Sequence, residues 1–389
     1  MALALNRNPD TTYRVKKYVY GLPDSGRAYY EAYSNHLIEH GYLRSTNDPC
    51  LFFRIKSPTR RIYIWAHVDD TLVAADDVSD IEELKEAIRT RFQITVNEEA
   101  DQHLGVNIAK QKDGSLKLTQ SKLLKSIFDE FLEPAKQGRR RTRVPMKPNP
   151  RLEDDSPFDR TTYLHLIGML NYLLRSRPDI STALAFASTR AVNPTLDDFQ
   201  RLLDVVHYLW NTRDLGLVIH PGDRDAPLQL RCYVDASFLT HSDSRGHTGY
   251  CICIGSLSAF YTKSVKQTLT ATSSTHAEVK ALYQLTVDLI YVINLCHELG
   301  RDIELPAIVF EDNAPTIQLT DSLSARAKKS KHFLMIVNFI KEQIIMGLLT
   351  VRKVESKDNI ADVLTKPLDW HDFAPKAARL LGIDEIEHS

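Results

Sequence analysis

Leu228-Gln229-Leu230-Arg231-Cys232-Tyr233-Val234-Asp235 is the stretch on which the reading of this chain turns. Through Leu228–Val234 apolar and polar residues alternate, the period of a half-buried strand, and the run ends on an acid. Two more strand-like runs follow, Gly249–Ile254 and Ser258–Thr262. A long helix is expected from about Ser274 to Leu299, opened by Ser273, Ser274 and Thr275 and closed by Gly300. Ala307–Phe310 is another apolar strand, Ala314–Thr320 and Phe333–Met346 are helical, and Leu348–Val354 is a strand. Asn359–Leu364 is a short helix before Pro367. The order β-β-β-α-β-α-α-β-α makes the last third a mixed α/β domain.

Four acids fall at telling places in that order. Asp235 and Asp312 each follow an apolar strand, Glu278 lies in the first turn of the long helix, and Asp362 lies in the helix after the last strand. If the strands ending at Asp235 and Asp312 are neighbours, their carboxylates meet at the carboxyl end of the sheet, where open sheets place ligands. Hard divalent cations take oxygen ligands, and two such ions about 3.5–4 Å apart can serve both the attacking and leaving oxygens of phosphodiester hydrolysis. An acid after a strand is equally a common turn residue, and spacing by itself leaves both readings open.

The first third has a second acidic feature. Ile62-Tyr63-Ile64-Trp65-Ala66-His67-Val68-Asp69-Asp70 is an apolar strand ending in paired aspartates, followed by Thr71–Ala75. Adjacent carboxylates repel unless a cation shares them, although an acidic hairpin turn is also ordinary. Strands are expected at Leu51–Ile55 and Ile62–Val68. Helices are expected at Glu31–His40, at Asp80–Arg91 with Ser79 or Asp80 as cap, and at Ser121–Leu132. Leu104–Gln111 and Ser115–Thr119 flank Asp113-Gly114 as a hairpin. Three helices, Tyr163–Arg175, Ile180–Ala191 and Leu196–Thr212, occupy the middle, between a basic, proline-containing segment at Lys136–Pro150 and a turn-rich one at Pro221–Pro227.

Several separate motifs agree in order with one family. Tyr233–Ser237, Gly249-Tyr250, Ser273-Ser274-Thr275-His276-Ala277-Glu278, Glu311-Asp312-Asn313, Lys331-His332 and Ser356–Leu368 resemble the ribonuclease H domain of copia-type LTR retrotransposon polyproteins. The His67-Val68-Asp69-Asp70 turn resembles the Tyr-Val-Asp-Asp box of reverse transcriptases, with His67 where Tyr or Phe is usual. Val15–Leu22, Arg27–Tyr30, Asp48–Phe52, His103-Leu104-Gly105 and the Tyr163–Ile180 segment are similar to the same polyprotein.

The resemblance implies a partial reverse-transcriptase palm and thumb at 1–145 and a helical connection at 146–227. It further implies a ribonuclease H-like mixed five-stranded sheet with flanking helices at 228–370 and a tail at 371–389. Two Mg²⁺ ions, or Mn²⁺ in their place, would be held by Asp235, Glu278, Asp312 and Asp362, with Asp69 and Asp70 as the polymerase acids. The implied reaction is cleavage of the RNA strand of an RNA/DNA hybrid. Implied partners are that hybrid, an RNA template and DNA primer, and upstream polyprotein segments or a second copy of the chain. Only 14 residues precede Val15, so the strand carrying a further polymerase Asp is expected to be missing and polymerase activity lost. The alternatives are a remnant that binds nucleic acid without catalysis, or a polymerase completed by a partner.

Charge and composition qualify this picture. With 49 basic and 50 acidic residues the net charge is −1, weakly against a nucleic-acid binder on balance alone. The basic residues nevertheless cluster. Arg139, Arg140, Arg141, Lys328, Lys329, Lys331 and His332 border the expected domains, and Lys16, Lys17 and Arg27 lie near tyrosines. All are candidates for phosphate contact. Five cysteines (Cys50, Cys232, Cys251, Cys253 and Cys296) make no disulfide framework, and no signal peptide or membrane span is expected. An intracellular chain, cytoplasmic or nuclear and not secreted, is the expectation. His36-Leu37-Ile38-Glu39-His40 matches a zinc-peptidase pattern too short to weigh much.

Overall fold

The computed structural model describes residues 21–132, 142–148, 154–222, 226–255, 258–321 and 331–386. The chain divides into two compact units, Met1–Glu98 and Glu99–Ser389. The expected boundary at 145 does not coincide with this division.

In the first unit, helix α1 (Ser25–Glu39) precedes an antiparallel sheet of β1 (Leu43–Arg44), β2 (Leu51–Ser57), β3 (Arg60–His67) and β4 (Asp70–Ala75), in that order. Helix α2 (Val78–Arg89) follows. Its cap is Asp77, whose side chain accepts from the Ser79 N–H, and not Ser79 or Asp80. Asp80 is instead buried, and its carboxylate takes Lys56 at 2.6 Å and Arg60 at 2.8 Å. Tyr33, Leu37, Phe52, Ile62, Ile64, Leu84 and Ile88 form the core. Within this packing the His36 Nε2–H donates to the Ala87 carbonyl at 2.8 Å, so the zinc-like pattern is a helix-packing feature.

The second unit begins with β5 (Gln102–His103), β6 (Val106–Lys110) and β7 (Leu116–Thr119), then α3 (Ser121–Phe131), α4 (Arg160–Leu173), α5 (Ser181–Ser188) and α6 (Leu196–Asn211). The three-residue strand β8 (Leu217–Ile219) returns to pair with β7. Gly216 permits that return: a Cβ there would meet the Leu118 carbonyl oxygen at 2.3 Å. This pairing is why the 99–132 segment belongs with the helices and not with the first unit.

A mixed five-stranded sheet follows, built from β9 (Leu228–Ser237), β10 (His247–Ile254), β11 (Ala259–Lys266), β12 (Ile303–Glu311) and β13 (Leu349–Lys353). Its order is β11-β10-β9-β12-β13, with β9, β10 and β11 antiparallel and β9, β12 and β13 parallel. The order of elements matches the sequence expectation. Helices α7 (Ser274–Glu298), α8 (Ala314–Asp321) and α9 (Lys331–Ile345) complete it with α10 (Trp370–Leu381), and residues 360–364 form a 3₁₀ turn. Helix α10 replaces the expected tail: Phe373, Ala377, Ala378, Leu380 and Leu381 are buried on one face of the helix.

Strand alternation splits the core in two. Cys232, Val234, Tyr250 and Ile252 face a cluster with Leu282, Leu285 and Leu289 of α7. Tyr233, Cys251 and Cys253 face the other way, onto a cluster that includes Leu166, Val206, Leu364 and Ala378. By length and composition α7 could cross a membrane, but half of its apolar window is buried inside the protein, as in the core helix of a two-layer domain.

Candidate metal centre at the carboxyl end of the mixed sheet

Asp235 sits near the end of the central strand β9, and Asp312 directly follows its parallel neighbour β12. Glu278 enters from α7, one turn past the Ser273 cap, whose hydroxyl accepts from the His276 N–H at 3.1 Å. Gln267 fixes the start of that helix to the sheet, donating to Thr248 Oγ1 at 3.1 Å and to the Ala277 carbonyl at 3.0 Å. Carboxylate oxygens of Asp235, Glu278 and Asp312 then lie within 4.8 Å of one another. Three carboxylates gathered this closely could hold one hard divalent cation.

The donor chemistry fits a hard cation. Asp235 and Glu278 are buried, and Glu278 Oε2 has no hydrogen-bond partner. Burial raises both carboxyls above their ordinary values. For Glu278 the next cause is repulsion from Glu311, and for Asp235 it is the opposing pull of Lys366. Such acids are costly to ionise without a cation.

Glu311 was not foreseen as part of this site. It is fully buried, its Oε1 accepts the Asn313 N–H at 2.9 Å, and its Oε2 is unpartnered. Burial pushes its carboxyl up to about 8. The signal was present in Glu311-Asp312-Asn313, but strand alternation had to place Glu311 on the α7 face before it could be read.

Asp362 lies in the 3₁₀ turn at Ile360–Leu364 and is buried, yet it does not join the three-acid group. Lys366 Nζ stands 2.6 Å from its Oδ1 and 3.5 Å from Asp235 Oδ2, while Lys376 of α10 ion-pairs with its Oδ2. The turn is docked beside Asp235 by Asn359, whose Nδ2 donates to the Val234 carbonyl at 2.9 Å and whose Oδ1 caps Ala361. Thr365 Oγ1 donates to Asp235 Oδ2. Gly249, paired with Asp235 across β9 and β10, leaves room for this: a Cβ would meet Leu364 and Thr365 atoms at 2.5–2.7 Å. From the helical segment, Thr182 Oγ1 donates to the Val363 carbonyl at 2.5 Å.

Asp69 and Asp70 are exposed at the turn between β3 and β4. Val68 there has φ +55°, a left-handed conformation unfavourable for a β-branched residue. Among the described residues no third acid joins the pair in a metal-holding group. Arg27 is exposed and paired with Glu31 at 2.8 Å, and Lys331 is exposed at the start of α9. Lys16, Lys17, Arg139, Arg140, Arg141, Lys328 and Lys329 lie outside the described residues, as does the side chain of His332.

Residues 2–141 match the reverse transcriptase (RNA-dependent DNA polymerase) family. The chain is 30% identical over 385 residues to the retrovirus-related Pol polyprotein from transposon RE2 of Arabidopsis thaliana, covering 98% of this chain and 26% of that protein. It is 26% identical over 370 residues to the corresponding polyprotein from transposon TNT 1-94 of Nicotiana tabacum, covering 92% and 27%. The chain is similar to these transposon Pol polyproteins and spans about a quarter of the length of the curated relatives it matches. Among solved structures, an RNase H1 isolated from compost is 17% identical, covering 35% of this chain and 92% of that chain with a TM-score of 0.29. A foamy viral protease-reverse transcriptase in complex with RNA/DNA hybrid is 13% identical, covering 87% and 39% with a TM-score of 0.46.

Proposed function

We propose that this chain hydrolyses the RNA strand of RNA/DNA hybrids in a Mg²⁺-dependent reaction, as the ribonuclease H part of a retroelement polyprotein. The observation that carries the reading is the convergence of Asp235, Glu278 and Asp312 from two parallel strands and a helix. When bound, Mg²⁺ supplies Lewis acidity at the scissile phosphate and favours ionised water near neutral pH. Asp235, Glu278 and Asp312 would hold one ion, and Asp235 with Asp362 would offer oxygens for a second. Water oxygen attacks phosphorus, the P–O3′ bond breaks, and the products carry a 3′ hydroxyl and a 5′ phosphate.

The chain's other residues prepare that geometry. Gln267 and Ser273 set the entry of Glu278, Thr365 orients Asp235, and Asn359 holds the turn that carries Asp362. Exposed Lys331 is placed in this reading as a phosphate contact, together with the basic residues around Lys328 and Lys329.

Asp312→Asn removes one anionic ligand and leaves the fold's packing nearly unchanged. Hybrid cleavage should fall by at least about a hundredfold, with hybrid affinity within a few fold of the unsubstituted chain. Gel assays on an RNA-labelled hybrid, with binding measured in Ca²⁺, check this. Cleavage unchanged in Asp312→Asn would remove the basis for the assignment.

A further inference from the structure

Two lysines hold Asp362, and their surroundings differ. Lys376 has a side chain only 7% exposed, and it also donates to the Ser356 carbonyl at 3.2 Å. It is a fixed counter-ion of Asp362 Oδ2. Lys366 has a side chain 39% exposed, and its ammonium reaches Asp362 Oδ1 and Asp235 Oδ2 from the rim. Any cation shared by Asp235 and Asp362 must touch both carboxylates, and the Lys366 ammonium already does so. A third lysine, Lys353, donates to the Asp312 carbonyl, and it is the Lys366 ammonium that bridges the Asp235 and Asp362 carboxylates.

We propose that Lys366 is a built-in, displaceable cation that occupies the second ion position, between Asp235 and Asp362, until its ammonium swings outward. The inference rests on the metal-site reading above and adds an order of events to it. The free chain takes one divalent ion, at Asp235, Glu278 and Asp312. The second enters when Lys366 finds another anion, such as a phosphate of the bound hybrid. Lys376 stays in place, so Asp362 offers the second ion a single oxygen, Oδ1. A flexible four-carbon stem at the rim makes the exchange a side-chain rotation with no backbone change.

The test counts ions on the full chain without nucleic acid, by titrating Mn²⁺ and following the free ion by electron paramagnetic resonance. The unsubstituted chain should bind one ion. Lys366→Met should bind two, the second about tenfold or more tighter than any further ion on the unsubstituted chain. Lys366→Gln, close in length, serves as the second neutral variant if the methionine variant does not fold. Lys366→Arg keeps the charge and should bind one ion. Equal stoichiometry and affinity in the neutral variants and the unsubstituted chain would overturn the proposal, as would two ions on Lys366→Arg. Asp312→Asn separates the two claims. If it leaves Mn²⁺ binding unchanged, the metal-site reading itself fails. If it abolishes binding while the neutral lysine variants behave like the unsubstituted chain, only the role of Lys366 fails.

Discussion

Asp80 is buried between Lys56 and Arg60, and the hydrogen bond from Arg60 is the main cause holding its carboxyl down to about 2, with Lys56 helping against the effect of burial. A depressed acid stabilises the fold above its ordinary value, and the contribution is lost as pH falls through the folded value. Asp80→Asn should therefore cost about 1–2 kcal/mol at pH 7, discounted for solvent around the half-exposed lysine and arginine, and nearly nothing at pH 2. Urea unfolding across that range checks it. Arg177 shows the stronger case. It is fully buried, grips both oxygens of Asp179 at 2.8–2.9 Å, and shares Asp179 with the Tyr208 hydroxyl. Arg177→Met strands a buried carboxylate and should cost about 3–5 kcal/mol in the second unit, measured by thermal or urea denaturation. At this scale the sequence identified Asp235, Glu278, Asp312 and Asp362 as acids of interest. It could not show that Asp362 is held by lysines, because Lys376 reaches it only once α10 has folded back.

Elements that carry their own period were legible. The strand at Leu228–Val234, the long helix to Leu299 and the Asp113-Gly114 hairpin all stand near their expected bounds. Two others were not. Strand β8 has three residues, too few for alternation to register, and its partner β7 is about a hundred residues earlier. Helix α10 follows the turn at Pro367, where a tail is expected, and its apolar face closes the core beneath the 3₁₀ turn. The turn depends in turn on Gly249. Gly249→Ala forces a Cβ against Leu364 and Thr365, and should destabilise the second unit by about 1–3 kcal/mol. It should also weaken Mn²⁺ binding, since Thr365 orients Asp235. Melting curves with and without Mn²⁺ read both effects.

On the scale of the whole chain, the near-zero net charge averages unlike parts. Carboxyls are concentrated at one end of the mixed sheet, while Arg139–Arg141 and Lys328–Lys331 are basic runs in the sequence. The division at Glu98 and Glu99 puts the three-acid group entirely in the second unit. Residues 99–389 expressed alone should fold cooperatively and bind Mn²⁺ with the affinity of the full chain, and calorimetry and ion titration check this. The sequence placed that boundary at 145 because the basic, proline-containing segment looks like a linker. The pairing of β7 with β8 ties residues on both sides of it into one sheet.

The central claim is tested most directly by incubating the full chain with an RNA/DNA hybrid labelled on its RNA strand, in Mg²⁺. The account predicts RNA shortened to fragments with 5′ phosphates and 3′ hydroxyls, an intact DNA strand, and no product in chelator. RNA left intact in both Mg²⁺ and Mn²⁺, under conditions where the hybrid is bound, would contradict it.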